Sequence, residues 1–198
     1  KPLQIFSPVS SDEVMKLLAG APTKQCTLDP VPTWLLKKIP DTIAPIIAKM
    51  CNVSIQQNQL PPDQKNAITV PRLKKPSLDP DDLNSYRPIT NLSFVSKMVE
   101  RVVDSRLVEH CERNRLFPEY QSAYRVGRST ETALVHLYNE MLREVDRGEV
   151  GALMLLDMSA AFDTVDHDIM LTVLERGFGI EDDALEWFRF YFSDCNLV

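Results

Sequence analysis

Residues 150–167, VGALMLLDMSAAFDTVDH, constrain this chain more than any other stretch. An uncharged run from Gly151 to Leu156 stops at Asp157, and small residues, Phe162, Asp163, Asp166 and His167 follow. A short unbroken apolar run is the pattern of a strand buried on both faces. A carboxylate at its C-terminal edge stands where α/β sheets present chemistry. The residues alone leave two roles open for Asp157, part of a site or cap of the next turn.

The remaining chain bounds what such a strand could serve. Its 198 residues suffice for one or two domains with a core. No apolar run is long enough to cross a bilayer and no signal-peptide pattern opens the chain, so an intracellular protein of the nucleus or cytoplasm, without a membrane partner, is expected. The first residue is Lys1 rather than Met, as in a piece of something longer. Cys26, Cys51, Cys111 and Cys195 lack the paired spacing of zinc or redox sites and are expected to be free thiols. The net charge of −6 hides an uneven distribution: +1 over residues 1–64, +4 over 65–128 and −11 over 129–198. A basic middle can track phosphates while an acidic end holds cations, although solvated faces give the same asymmetry.

The first 64 residues read as helical packing. Ser10 and Glu13 form a capping-box pattern opening a helix that stops near Gly20. A loop punctuated by Pro22, Pro30 and Pro32 contains Asp29, after which Thr33 is expected to cap a short helix. Asp41 is expected to cap a longer one whose Ile43, Ile46, Ile47 and Met50 share a face, ending at Leu60-Pro61-Pro62.

At Lys65 the character changes. NAITVPRL at Asn66–Leu73 reads as a strand, residues 76–84 as an acidic turn-rich loop, and SYRPIT at 85–90 as a returning strand. The hairpin would gather Arg72, Lys74, Lys75 and Arg87 on a basic face. Such a face suits a polyphosphate or a nucleic-acid backbone, and it equally suits a soluble sheet edge guarded by lysine.

Residues 95–114 form an amphipathic helix with Met98, Val99, Val102, Val103 and Leu107 inward. In QSAYRVGRST at 121–130, Tyr124, Arg125 and Arg128 surround Gly127; an aromatic between arginines can grip a strand or simply tuck into a turn. Ser129 caps a further helix stopping at Gly148, and its His136 reads as a surface histidine. After the opening stretch, Asp166-His167 begins a helix. Asp182 or Asp183 caps a last one bearing Trp187, Phe188, Phe190, Tyr191 and Phe192. That aromatic density requires a partner surface, which makes self-association through this helix an expectation.

Taken in order, these blocks resemble a known family. LLDMSAAFDTVDH at 155–167 is similar to the reverse transcriptase of non-LTR (LINE-type) retrotransposons, nearest to the chicken-repeat-1 and L2-like groups. The resemblance extends over LDPVP at 28–32, WLLK at 34–37, residues 68–75, NSYRPI at 84–89, residues 121–130 and Leu174-Glu175. It implies an α+β fold: the fingers and partial palm of a right-hand polymerase behind a helix-rich N-terminal part. The division would be 1–64 as helical extension, 65–128 as fingers with the basic hairpin, and 129–198 as the start of an incomplete palm.

The resemblance also implies roles. Asp157 would be the first catalytic, magnesium-binding carboxylate, and Phe162 the aromatic gate that excludes a 2′-hydroxyl. Lys74, Lys75 and Arg87 would bind the triphosphate of a deoxynucleotide, and Arg125, Gly127 and Arg128 would cradle the RNA template paired with its DNA primer. Asp163, Asp166 and His167 read as structural. Ser122-Ala123-Tyr124 and Gln64-Lys65 depart from the blocks most relatives carry there. No Ala-Asp-Asp follows Asp157 and no thumb follows the palm, so the chain is expected to be truncated before the second catalytic carboxylates and inactive alone. Two further readings stay open: a non-catalytic nucleic-acid- or partner-binding remnant, and a phosphatase in which Ser159 occupies the place of the usual second carboxylate.

Overall fold

The computed structural model describes residues 1–24, 26–158, 164–193 and 196–197. They form a mixed structure of helices and a small sheet in two compact units, Lys1–His110 with His167–Val198, and Cys111–Asp166. Among the described residues, no helix is long and apolar enough to cross a membrane.

In the first unit, α1 (Ser11–Gly20), α2 (Thr33–Leu36), α3 (Pro40–Gln57) and the first part of α4 (Phe94–Asn114) pack with α6 (His167–Phe178) and α7 (Asp182–Phe192). Val14 and Leu18 of α1, Ile47 and Cys51 of α3, Met98, Val99 and Val102 of α4, and Trp187 of α7 form the centre of one core. On α4, Met98 and Val99 lie four and three residues before Val102, as one helix face requires. Burial pushes the Cys51 thiol up to about 11. Cys26, Cys51 and Cys111 are free and buried, while Cys195 lies outside the described residues.

Several local expectations are corrected. Ser10 caps α1 by accepting from the Glu13 N–H at 3.2 Å, but the Glu13 carboxylate turns away to Arg106, at 2.5 and 2.8 Å. A bidentate charged pair outweighs the reciprocal half of a capping box. Thr33 is the first residue of α2 rather than its cap; it is buried and donates to the Lys24 carbonyl at 3.1 Å. Ile39 precedes α3, with Pro40 as its first residue and Asp41 in its first turn, because proline lacks the N–H that this position leaves unused. Ile46 is turned to solvent, and Ala44 and Ala48 are buried instead.

The aromatic α7 finds its covering surface inside its own unit. Trp187 and Phe188 are buried, Phe6 meets both rings edge-on at 6.0 and 5.8 Å, and the Trp187 indole donates to Ser54 Oγ of α3 at 3.2 Å. The N-terminal segment is held in place by Asn52, which exchanges two hydrogen bonds with the Val9 backbone at 2.8 and 2.9 Å. Phe6, from the opposite end of the sequence, thus supplies part of the cover on α7.

Strand β1 (Asn66–Leu73) pairs antiparallel with β2 (Tyr86–Leu92), and β3 (Asn196–Leu197) adds a short parallel pairing on the other side of β1. The second unit contains α5 (Thr130–Asp146), opened by a reciprocal capping box between Ser129 and Thr132. The strand expected at 151–156 is absent: residues 150–158 carry no regular structure, and Leu155 and Leu156 are more than four-fifths exposed. A strand is held by hydrogen bonds to its neighbours rather than by its own apolar run, and no strand among the described residues pairs with this one.

Candidate phosphate and nucleic-acid interface

The hairpin register is dictated by its prolines. Pro71 and Pro88 stand directly opposite one another, which an antiparallel ladder tolerates only at a pair that exchanges no hydrogen bonds. The Lys74 N–H donates to the Ser85 carbonyl at 2.8 Å, fixing the same alternation. Arg72 and Arg87, one step from the prolines, therefore form a hydrogen-bonded pair with Cα atoms about 5.5 Å apart. Both side chains rise from one face, and both are exposed. Like charges directly opposite in a sheet repel, and neither guanidinium has an ion-pair partner among the described residues.

The acidic loop does not neutralise them. Asp79 accepts from the Asp81 N–H at 3.0 Å and Asp82 from the Asn84 N–H at 2.9 Å, each closing its own turn. The Tyr86 hydroxyl donates to the Pro80 carbonyl at 3.0 Å and holds the loop to β2. Lys74 Nζ donates to the Asn84 carbonyl at 2.7 Å, whereas Lys75 is exposed. Arg72, Leu73, Lys74, Pro76, Arg87 and Ile89 line one open depression. Three of the four basic residues grouped by sequence thus surround a single concavity suited to an anion.

Lys65, where the character of the sequence changes, is buried. Its ammonium donates to the carbonyls of Phe190 and Ser193 at 2.6 and 2.5 Å and lies 4.0 Å from the centre of the Phe190 ring. It closes the C-terminus of α7, where carbonyls lack helical partners and a cation is favoured. A lysine directly before a strand gives no signal of this role in sequence. Gln64 beside it accepts from Ser93 and Ser96 at 3.0 and 2.8 Å.

Within the second unit, Arg125 binds both carboxylate oxygens of Glu112 at 3.0 and 3.1 Å and lies 5.0 Å from the centre of the Phe117 ring. Its guanidinium orders the loop. Gly127 has φ of 75°, a conformation suited to glycine, and Arg128 is exposed beside it. Tyr124 also has a positive φ, 59°, and is exposed. Tyr120 stacks on His136 with ring centres 5.0 Å apart, a contact unsignalled by the sequence.

Asp157 is exposed in the irregular run, and Phe162 and Asp163 lie outside the described residues. Among the described residues, no group of three or more His, Cys, Asp or Glu side chains is placed to hold a metal ion. One carboxylate does not strip magnesium of its waters, so these residues do not by themselves fit that ion.

The chain is 29% identical over 181 residues to the probable RNA-directed DNA polymerase from transposon BS of Drosophila melanogaster, an alignment covering 89% of this chain and 20% of that protein. It is 27% identical over 181 residues to the RNA-directed DNA polymerase from mobile element jockey of the same organism, with the same coverage of each. The probable RNA-directed DNA polymerase from transposon X-element is 28% identical over 194 residues, 96% of this chain and 21% of that protein. The chain thus spans about a fifth of the length of these curated relatives. A family model described as reverse transcriptase (RNA-dependent DNA polymerase) matches residues 73–193, from the last residue of β1 through α7, and the chain belongs to that family.

Proposed function

We propose that this chain forms the fingers and the beginning of the palm of an RNA-directed DNA polymerase acting inside the cell, and that its hairpin grips the triphosphate of the incoming deoxynucleotide. In this reading residues 1–64 are a helical extension, 65–128 the fingers and 129–198 the start of the palm. One observation carries it: Arg72 and Arg87 are held opposite each other, exposed and without ion-pair partners among the described residues. A folded chain keeps two like charges in register most readily where a polyanion bridges them, and guanidinium forks match phosphate oxygens two at a time.

The remaining roles follow from the same reading. Lys74 and Lys75 add charge beside the phosphates, with Lys74 directed by the Asn84 carbonyl. Gly127 and Arg128 meet the RNA template paired with its DNA primer, while Arg125 sets their loop through Glu112. Phe162 gates the sugar, and Asp157 is the palm carboxylate for magnesium, an ion requiring ligands beyond this carboxylate. The chain alone is therefore inactive in primer extension.

Calorimetric titration of the chain with a deoxynucleoside triphosphate tests the hairpin. Charge-assisted hydrogen bonds contribute about 1.5–3 kcal/mol each, so Arg87→Gln weakens binding about 10- to 100-fold, and the monophosphate binds more weakly than the triphosphate. Equal affinity of the Arg87→Gln variant and the unaltered chain overturns the assignment.

A further inference from the structure

Residues 1–9 lie on the first unit as an extended peptide lies on a receptor. Burial along them has period three: Leu3 is half-buried, Phe6 and Val9 are buried, and the residues between them are exposed. Three residues per turn is the spacing of a polyproline-II segment, and Pro2 and Pro8 are preset for that form. Ile5 is 61% exposed, so the apolar side chains of this segment are selected by position and not buried wholesale.

The unit holds this strap chiefly by its main chain. The Leu3 N–H donates to the Gly179 carbonyl at 2.8 Å, and the Leu3 carbonyl accepts from the Glu181 N–H at 2.9 Å. The Gln4 carbonyl accepts from the Ala184 N–H at 2.9 Å, at the third residue of α7. An N-cap side chain normally accepts there, and among the described residues none does. Arg106 donates to the Ser7 and Pro8 carbonyls at 3.2 and 3.3 Å, and Asn52 grips Val9. Main-chain bonds give affinity without reading sequence, so selection falls to the buried positions, above all to Phe6 against Trp187 and Phe188.

One position of the strap is matched poorly. Glu181, Asp182 and Asp183 open α7 beside Gln4, whose neutral amide reaches the Glu181 carboxylate only at 3.5 Å. A guanidinium or ammonium in place of that amide would form a charge-assisted pair. We propose that the groove is a docking site for an extended segment of another protein, with apolar residues at i, i+3 and i+6 and a basic residue at i+1, and that residues 1–9 hold its place until such a segment displaces them. A second copy of the chain brings only the same Gln4, and has no advantage over the strap already attached.

Fluorescence anisotropy of a labelled peptide of residues 1–10, KPLQIFSPVS, titrated with the full chain tests it. The attached strap competes at an effective concentration in roughly the millimolar range, so the unaltered chain binds the peptide weakly. Phe6→Ala in the chain frees the groove and is expected to tighten peptide binding about tenfold or more. Leu3→Ala, at a half-buried position, serves in the same way should Phe6→Ala fail to fold. With either variant, Gln4→Arg in the peptide should tighten binding about two- to fivefold at low salt, a gain that fades at high salt. Phe6→Ala in the peptide should weaken it about 30-fold, as loss of an anchor does. Peptide affinity that neither chain variant raises, or that ignores Phe6 or position 4 of the peptide, overturns the proposal. Dimers of the unaltered chain that dissolve on adding the peptide overturn it as well, by giving the groove to the strap of a second copy.

Discussion

Replacing Lys65 by methionine should cost this fold more than removing any other lysine charge of the hairpin region. The ammonium is 8% exposed and donates to two carbonyls at the end of α7, at 2.6 and 2.5 Å. Two hydrogen bonds to a charged group contribute about 3–6 kcal/mol, and favourable placement at a helix C-terminus adds about 0.5. Against this stands the cost of keeping an ammonium out of water, several kcal/mol for a buried ion. Methionine fills the same volume but takes the ammonium from the Ser193 carbonyl, at about 1–3 kcal/mol, while the Phe190 carbonyl keeps the Ser193 N–H and hydroxyl as donors. A net destabilisation of about 1–3 kcal/mol follows. Urea unfolding followed by tryptophan emission is a suitable assay, because Trp187 is buried on α7. With an m-value of about 2 kcal/mol/M, the midpoint should fall by about 0.5–1.5 M. Lys74→Met, at an exposed position, should stay within about 0.5 kcal/mol. A Lys65→Met midpoint within 0.2 M of the unaltered chain would refute this account of the α7 terminus.

Three shorter expectations concern pH and metal. The hydrogen-bonded Arg106 guanidinium holds the Glu13 carboxyl below its ordinary value of 4.5. The pair therefore adds stability above that pH and loses it as pH falls through the lowered value, so Arg106→Gln should flatten the acid limb of a stability–pH curve. Burial raises the Glu100 carboxyl, giving the opposite sign: stability falls as pH rises from about 4.5 through the raised value, and Glu100→Gln, measured by urea titration at neutral pH, should be the more stable protein. Chelation by EDTA should leave the thermal midpoint unchanged, and Asp157→Asn should not alter magnesium binding measured by calorimetry, since Asp157 lacks companion ligands among the described residues.

What the sequence revealed was local. The hairpin was legible because two strand-like runs and the polar loop between them lie within some twenty-five residues, α1 and α5 announced themselves by their caps and α4 by its periodicity, whereas α7 starts at Asp182 behind Glu181 rather than behind an aspartate cap. The cover on α7 was not legible: Phe6 and Trp187 meet across nearly the whole chain, and nothing near Trp187 names its partner. Lys65 shares this reason, since a lysine's role depends on which carbonyls the fold brings beside it. The apolar run before Asp157 fails differently. Its pattern specifies a strand, but pairing is a property of two segments, and the described residues offer it none. The Asp157 and Phe162 assignments accordingly rest on family blocks, whereas the hairpin stands on its own geometry.

The central claim, that the Arg72–Arg87 face receives a triphosphate, is tested most directly by mapping backbone amide shifts of the isotope-labelled chain during titration with a deoxynucleoside triphosphate. The account expects saturable shifts at Arg72, Leu73, Lys74, Arg87 and Ile89, absent in Arg87→Gln. Shifts confined to residues 111–158, or none on β1 and β2, would contradict it.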